Sequence, residues 1–199
     1  MDINAELFIT KELETKDGYT WTMASRLGDT LKKAEELFGK RDIEYTILGV
    51  EFALTERLQV WYPGNCKHII IQLNKHALED VNQALYQLSH ETVHCLSPIG
   101  KKAANILEEG LATYFSEWYM KQNGLGDWFA SLPKYIEAVK LVKDLLAIDN
   151  DIIKKVRALQ PTISEIKSEE LLKANNNIPK ELADKLCEPF YSTTDKVNS

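Results

Sequence analysis

The stretch Ala77-Leu78-Glu79-Asp80-Val81-Asn82-Gln83-Ala84-Leu85-Tyr86-Gln87-Leu88-Ser89-His90-Glu91-Thr92-Val93-His94-Cys95-Leu96 decides how the chain folds. Leu78, Val81, Leu85, Leu88 and Val93 recur at helical spacing, so they line one side of a helix expected over residues 77–96. Gln83, Gln87, His90 and His94 line the other side. Ser97-Pro98-Ile99-Gly100 stops this helix. A second helix is expected over 101–120, with Ile106, Leu107, Gly110, Leu111, Tyr114 and Trp118 as its apolar stripe. So short a connection makes the two helices neighbours in space.

Upstream, Leu27, Leu31, Ala34, Leu37 and Phe38 place a helix over 23–38, with Gly39 set to end it. Residues 43–54 alternate like a strand that shifts phase near Gly49, where a bulge is expected. Residues 57–62 read as the neighbour of that strand. Pro63-Gly64-Asn65 supplies turn chemistry, and 67–73 follows as a strand with Ile69, Ile71 and Leu73 on one face. Downstream, helical patterns occupy 134–147, 151–159, 163–174 and 179–187, with Pro133, Pro161 and Pro179 near their starts. The fold class is therefore α+β: a small, mainly antiparallel sheet followed by a mostly helical C-terminal half.

A chain of 199 residues fits one domain. Its expected parts are a sheet-containing region (1–76), the two central helices (77–122), a helical region (123–191) and a polar tail (192–199). A net charge of -6 and a pI near 5.3 argue against a nucleic-acid partner, which needs clustered cations to displace counterions. The pairs Lys32-Lys33, Lys101-Lys102 and Lys154-Lys155 are short and interleaved with acids. No run approaches the roughly 20 apolar residues of a membrane span, and Met1-Asp2-Ile3-Asn4-Ala5-Glu6 lacks the pattern of a signal peptide. A cytoplasmic location without membrane association is the expectation. Cys66, Cys95 and Cys187 are too few and too scattered for a disulfide framework and read as buried thiols.

Chemistry concentrates in His90-Glu91-Thr92-Val93-His94. Two imidazoles four residues apart share a helix face and can grip one cation, while Glu91 reaches a water on the open side. The pattern also arises by chance on wet helix faces. Two neighbours give it weight. Zinc needs a third protein ligand, for which Glu109 on the next helix is a candidate, and leaves its fourth position to water. The strand 67–73, just before the histidine helix, could accept an extended peptide by backbone hydrogen bonding.

The segment Glu108-Glu109-Gly110-Leu111-Ala112-Thr113-Tyr114-Phe115, downstream of the His-Glu-x-x-His pattern, resembles the gluzincin zinc peptidases. Their aminopeptidase branch carries an Asn-Glu-Gly-Phe-Ala-Thr/Ser-Tyr-like stretch there. The resemblance covers about residues 67–120 and points to compact, single-domain relatives. It implies a zincin-like domain in which His90, His94 and Glu109 hold one Zn2+ per chain and Glu91 is the general base for peptide-bond hydrolysis. The chain has Glu108 where the family pattern has Asn. It also lacks the Gly-x-Met-Glu-Asn stretch that grips a substrate's free amine, so cleavage at an internal bond is expected rather than trimming.

In similar enzymes a downstream Tyr or His stabilises the oxyanion; no His follows His94, which leaves Tyr191 and Tyr135 as candidates. Asn105 and Thr113 are positioned as partners of the ligands, and no carboxylate partner is identified. His68 and His76 read as surface groups, and Trp118, Tyr119 and Trp128 as core. Two other functions fit the same residues: a peptide-binding module without useful activity, and a regulatory protease directed at one partner.

Overall fold

The computed structural model describes residues 23–64, 67–100 and 102–191. The N-terminal stretch, Cys66, Lys101 and the tail expected at 192–199 lie outside the described residues.

Helix α1 (Met23–Phe38) forms where the periodicity places it and buries Leu27, Thr30, Ala34 and Phe38. Gly39 ends it with φ of +94°, a conformation that costs glycine little. Strands β1 (Thr46–Phe52), β2 (Gln59–Trp61) and β3 (His68–Leu73) form one sheet in the order β1-β3-β2. The bulge expected near Gly49 is present as a register shift between Ile47 and Gly49.

The sheet is not mainly antiparallel, because β1 and β3 run parallel and only β2 and β3 run antiparallel. Nor is β2 the neighbour of β1. Alternation reports which side chains share a face, but carries no information on strand order or direction. Here β2 turns back through Pro63-Gly64 onto β3, and β3 occupies the centre with Ile69, Ile71 and Leu73 buried.

The helix expected over 77–96 is split. Lys75–Leu78 is a 3-10 turn capped by Asn74, and α2 (Val81–His94) starts at Asp80, whose side chain accepts from the N–H groups of Asn82 and Gln83. Two good N-caps six residues apart win over the apolar spacing, which leaves Leu78 exposed. Helix α3 (Ile106–Gln122) likewise begins five residues later than expected, at Asn105, whose side chain accepts from Glu108 N–H.

Helices α4 (Pro133–Ile148), α5 (Ile152–Arg157), α6 (Ser168–Ala174) and α7 (Lys180–Leu186) follow, and the expected 163–174 helix divides into a 3-10 turn (Ile163–Glu165) and α6. No helix among the described residues is long and apolar enough to cross a membrane.

Two apolar clusters flank α2. Leu88 and Ala84 pack with Ile69, Ile71 and Leu73 on the sheet side; Val93 packs with Leu107, Leu111 and Phe115 on the helical side. Arg157 binds the two sides together by donating to the carbonyls of Phe38, Gly39 and Lys40 at the end of α1 and of Leu96 beyond α2. A buried guanidinium thus satisfies carbonyls that helix ends leave without partners. Helix α4 crosses α3 at Gly110, where an added Cβ would stand 2.6 Å from the Ala138 carbonyl oxygen. Only glycine permits so close an approach.

Candidate metal centre

The face of α2 that reads as wet in sequence is a cleft wall. His90 and Glu91 are buried, and His94 is half-buried. One turn apart on α2, the two imidazole rings stand 5.2 Å centre to centre. Ligand atoms of His90, Glu91 and His94 all lie within 4.8 Å of one another, a group that could hold a metal ion.

Helix α3 brings acids to the same place. Asn105 caps its first turn and so sets Glu108 and Glu109 at the positive end of the helix dipole, where carboxylates are favoured. Glu109 Oε2 stands 3.4 Å from His90 Nε2, and its Oε1 stands 3.9 Å from His94 Nε2. Glu108 meets the other nitrogen of His94, with Nδ1 and Oε1 2.8 Å apart. Because Gly110 lets α4 close in, the Tyr135 ring sits 5.8 Å from the His90 ring. The Tyr135 and Tyr191 hydroxyls are 3.1 Å apart.

Charge follows from this crowding. Burial raises the proton affinity of Glu91 against the opposing pull of His94 and His90. For Glu109 the His94 and His90 charges outweigh burial and hold its carboxyl below the ordinary range. Burial disfavours a charged His94, yet Glu109, Glu108 and Glu91 prevail and push its pKa up to about 10 in the metal-free protein. Burial, then Glu109, keeps the Tyr135 phenol protonated far above the ordinary range.

The His90-Glu91-His94 group could hold a metal ion, and Glu109 stands beside it. Glu109 Oε2 is buried with no hydrogen-bond partner, which native proteins avoid unless a ligand completes the group. Atoms held about 2.0–2.1 Å from a tetrahedral ion stand roughly 3.4 Å apart. The His90 and Glu109 spacing of 3.4 Å has that value before any ion is added.

The cleft, about 590 Å³ in volume, is lined by His90, Glu91, His94, Glu109, Tyr135 and Tyr191, so the structure brings together every residue that sequence reading singled out for the reaction. Asn105 and Thr113 do not reach the imidazoles: Asn105 is the α3 cap, and Thr113 Oγ1 donates to the Glu109 carbonyl. The carboxylate partner missing from the sequence reading is Glu108, whose one signal was a second acid where the resembled motif has Asn.

His76 is exposed and paired with Glu56, and His68 is half-buried on β3, both away from the centre. Cys95 is buried and Cys187 half-buried. Tyr119 is buried and Trp118 packs on Phe115, but Trp128 is not core. It stacks on Tyr86 and, with Phe129 and Leu132, lines a second cleft of about 390 Å³ that shares His90 and Tyr135 with the first. No protein-family description, curated protein or solved structure matches the chain.

Proposed function

We propose that this chain is a zinc-dependent peptidase of gluzincin type that cuts an internal bond of a peptide or flexible protein segment. The observation that carries the reading is the Glu109 carboxylate, one oxygen of it buried without a hydrogen-bond partner, facing both histidine Nε2 atoms from a crossing helix. His90, His94 and Glu109 would hold the ion, and Glu91 would stay free beside it. A bound zinc ion acidifies water and polarises an amide carbonyl.

Glu91, its basicity raised by burial, accepts a proton from water and passes it to the leaving amine. Tyr135, held protonated, donates its hydrogen bond to the carbonyl oxygen as that oxygen gains charge, and Tyr191 braces the Tyr135 hydroxyl. The expected peptide site along 67–73 has to move, since β3 is paired on both edges. Strand β2 ends the sheet, and residues 57–60 line the cleft, so an extended substrate is assigned to the β2 edge. The second cleft, whose walls include no Asp, Glu, Lys or Arg, receives a large apolar side chain beside the cut bond.

Elemental analysis of the purified protein, with His90→Ala and His94→Ala beside it, tests the metal. One zinc per chain is expected, lost in both variants. A Glu91→Gln variant that keeps zinc and loses cleavage of a mixed peptide pool by at least about a hundred-fold supports the assigned base. Zinc content indifferent to both histidines would refute the reading, and zinc retention without cleavage by the unmodified chain would leave a binding module.

A further inference from the structure

We infer that Glu108 is a positioning residue that, fastened by Ser164, fixes the His94 imidazole in the tautomer and orientation a metal needs. The inference rests on the metal reading above. Both oxygens of Glu108 are engaged, Oε1 by His94 Nδ1 at 2.8 Å and Oε2 by the Ser164 hydroxyl, which donates to it. Each Glu108 oxygen thus already has a partner, whereas its neighbour Glu109 has a buried oxygen without one. Metal binding needs the neutral imidazole, which carries one N–H where the charged ring of the metal-free protein carries two. Donating it from Nδ1 to Glu108 leaves the Nε2 lone pair facing the cleft, and a carboxylate acceptor also makes that nitrogen a stronger donor to a cation.

Ser164 is itself held. It lies in the 3-10 turn Ile163–Glu165, which is anchored at each of its residues. Ile163 N–H donates to Ser97 Oγ at 3.0 Å, and the Ile163 carbonyl accepts from Asn105 Nδ2 at 3.2 Å. The Ser164 hydroxyl also accepts from Asn105 N–H at 3.4 Å, and Glu165 is paired with Lys102 at 2.7 Å. The turn thus spans the segment after α2 and the start of α3, the two elements that carry the ligands. Through this contact the helical C-terminal region, remote in sequence, controls the rotation of one imidazole. Glu108 itself is buried, only 1% exposed.

The test is a zinc titration against a chromophoric chelator, with visible spectra of the cobalt-substituted protein and thermal melts of the metal-free one. Glu108→Gln keeps the shape and is expected to weaken zinc binding on the order of 10–100-fold. Ser164→Ala, which leaves the packing intact, is expected to weaken it roughly five-fold, the value of one net hydrogen bond. Both should shift the cobalt bands. If the unmodified chain binds zinc and both variants bind it equally well with unchanged cobalt bands, Glu108 is structural and the inference falls, whatever the melts do. Should Glu108→Gln fail to fold, Ser164→Ala decides alone. An unmodified chain that binds no zinc overturns the metal reading and this inference with it.

Discussion

Replacing Gly110 by alanine sets two known effects against each other, and the structure says which prevails. Inside a helix, Gly→Ala is worth about 1 kcal/mol of added stability. At Gly110, however, the new Cβ would meet the Ala138 carbonyl oxygen at 2.6 Å, Val142 Cγ2 at 2.7 Å and the Ala138 carbonyl carbon at 2.9 Å. Two of these three are backbone atoms, so no rotamer change relieves them. Reaching ordinary contact at 3.4 Å requires α4 to retreat by about 0.8 Å from its present 2.6 Å.

Overpacking of this kind costs about 1–3 kcal/mol, more where the neighbour is rigid. Taking the upper part of that range, the net effect is a loss of roughly 1–2 kcal/mol, or a Tm lower by about 2–8 °C for a chain of this size. Tyr135 lies one turn before Ala138 on α4, so the retreat also draws its hydroxyl away from His90. A displacement near 1 Å can cost about a hundred-fold in rate, which makes the loss of turnover larger than the loss of stability explains. Differential scanning calorimetry and peptide cleavage read the two effects. A Gly110→Ala protein that melts higher, with turnover intact, would mean that α3 and α4 do not meet at this glycine.

Tyr135→Phe should lower kcat about 10²–10³-fold with KM little changed, and Tyr191→Phe should cost less because its hydroxyl acts only through Tyr135; the reverse order in steady-state kinetics would disprove the assignment. In the metal-free protein the His94 pKa is raised from 6.5 to about 10, by Glu109 and Glu108 acting against burial. A raised cation pKa gives stability that is complete below pH 6.5 and lost as pH rises through 10, so the metal-free melting temperature should fall across that window. Over the same window zinc has to displace a proton, and its apparent affinity should rise about ten-fold per pH unit between roughly pH 7 and 9; calorimetry giving a flat profile would contradict this. Trp128→Ala should reduce cleavage beside large apolar residues by about 10–100-fold relative to cleavage beside alanine, and an equal loss for both peptides would remove the second cleft from substrate selection.

Much of the centre is legible along the chain. His90 and His94 face one way because α2 is a helix, and a helix follows from the spacing of Leu85, Leu88 and Val93 and the Asp80 cap. Glu109 stands out from its place before Gly110, although why glycine follows is invisible until α4 is seen lying against it. Glu108 was the harder residue. Its role depends on the rotation of α3 about its axis, set by the Asn105 cap, and on Ser164 arriving from a turn that sequence periodicity reads as the start of a helix. The sheet failed in a different way: its faces are encoded by alternation, but its order and direction are not.

By itself, then, the amino-acid order determined most of the helices and strands, though not where the 77–96 and 163–174 stretches divide, and the donor atoms offered by α2 and α3, since spacing and capping act over a few residues and require no knowledge of neighbours. Tertiary structure alone decided that β3 is central, that β2 is an edge strand beside the cleft, that Trp128 lines a second cleft, and that Glu108 meets His94 Nδ1 while Glu109 faces the Nε2 atoms of both histidines. Those outcomes depend on contacts between segments far apart in the chain, and the free energy of such a contact belongs to the pair rather than to either sequence segment.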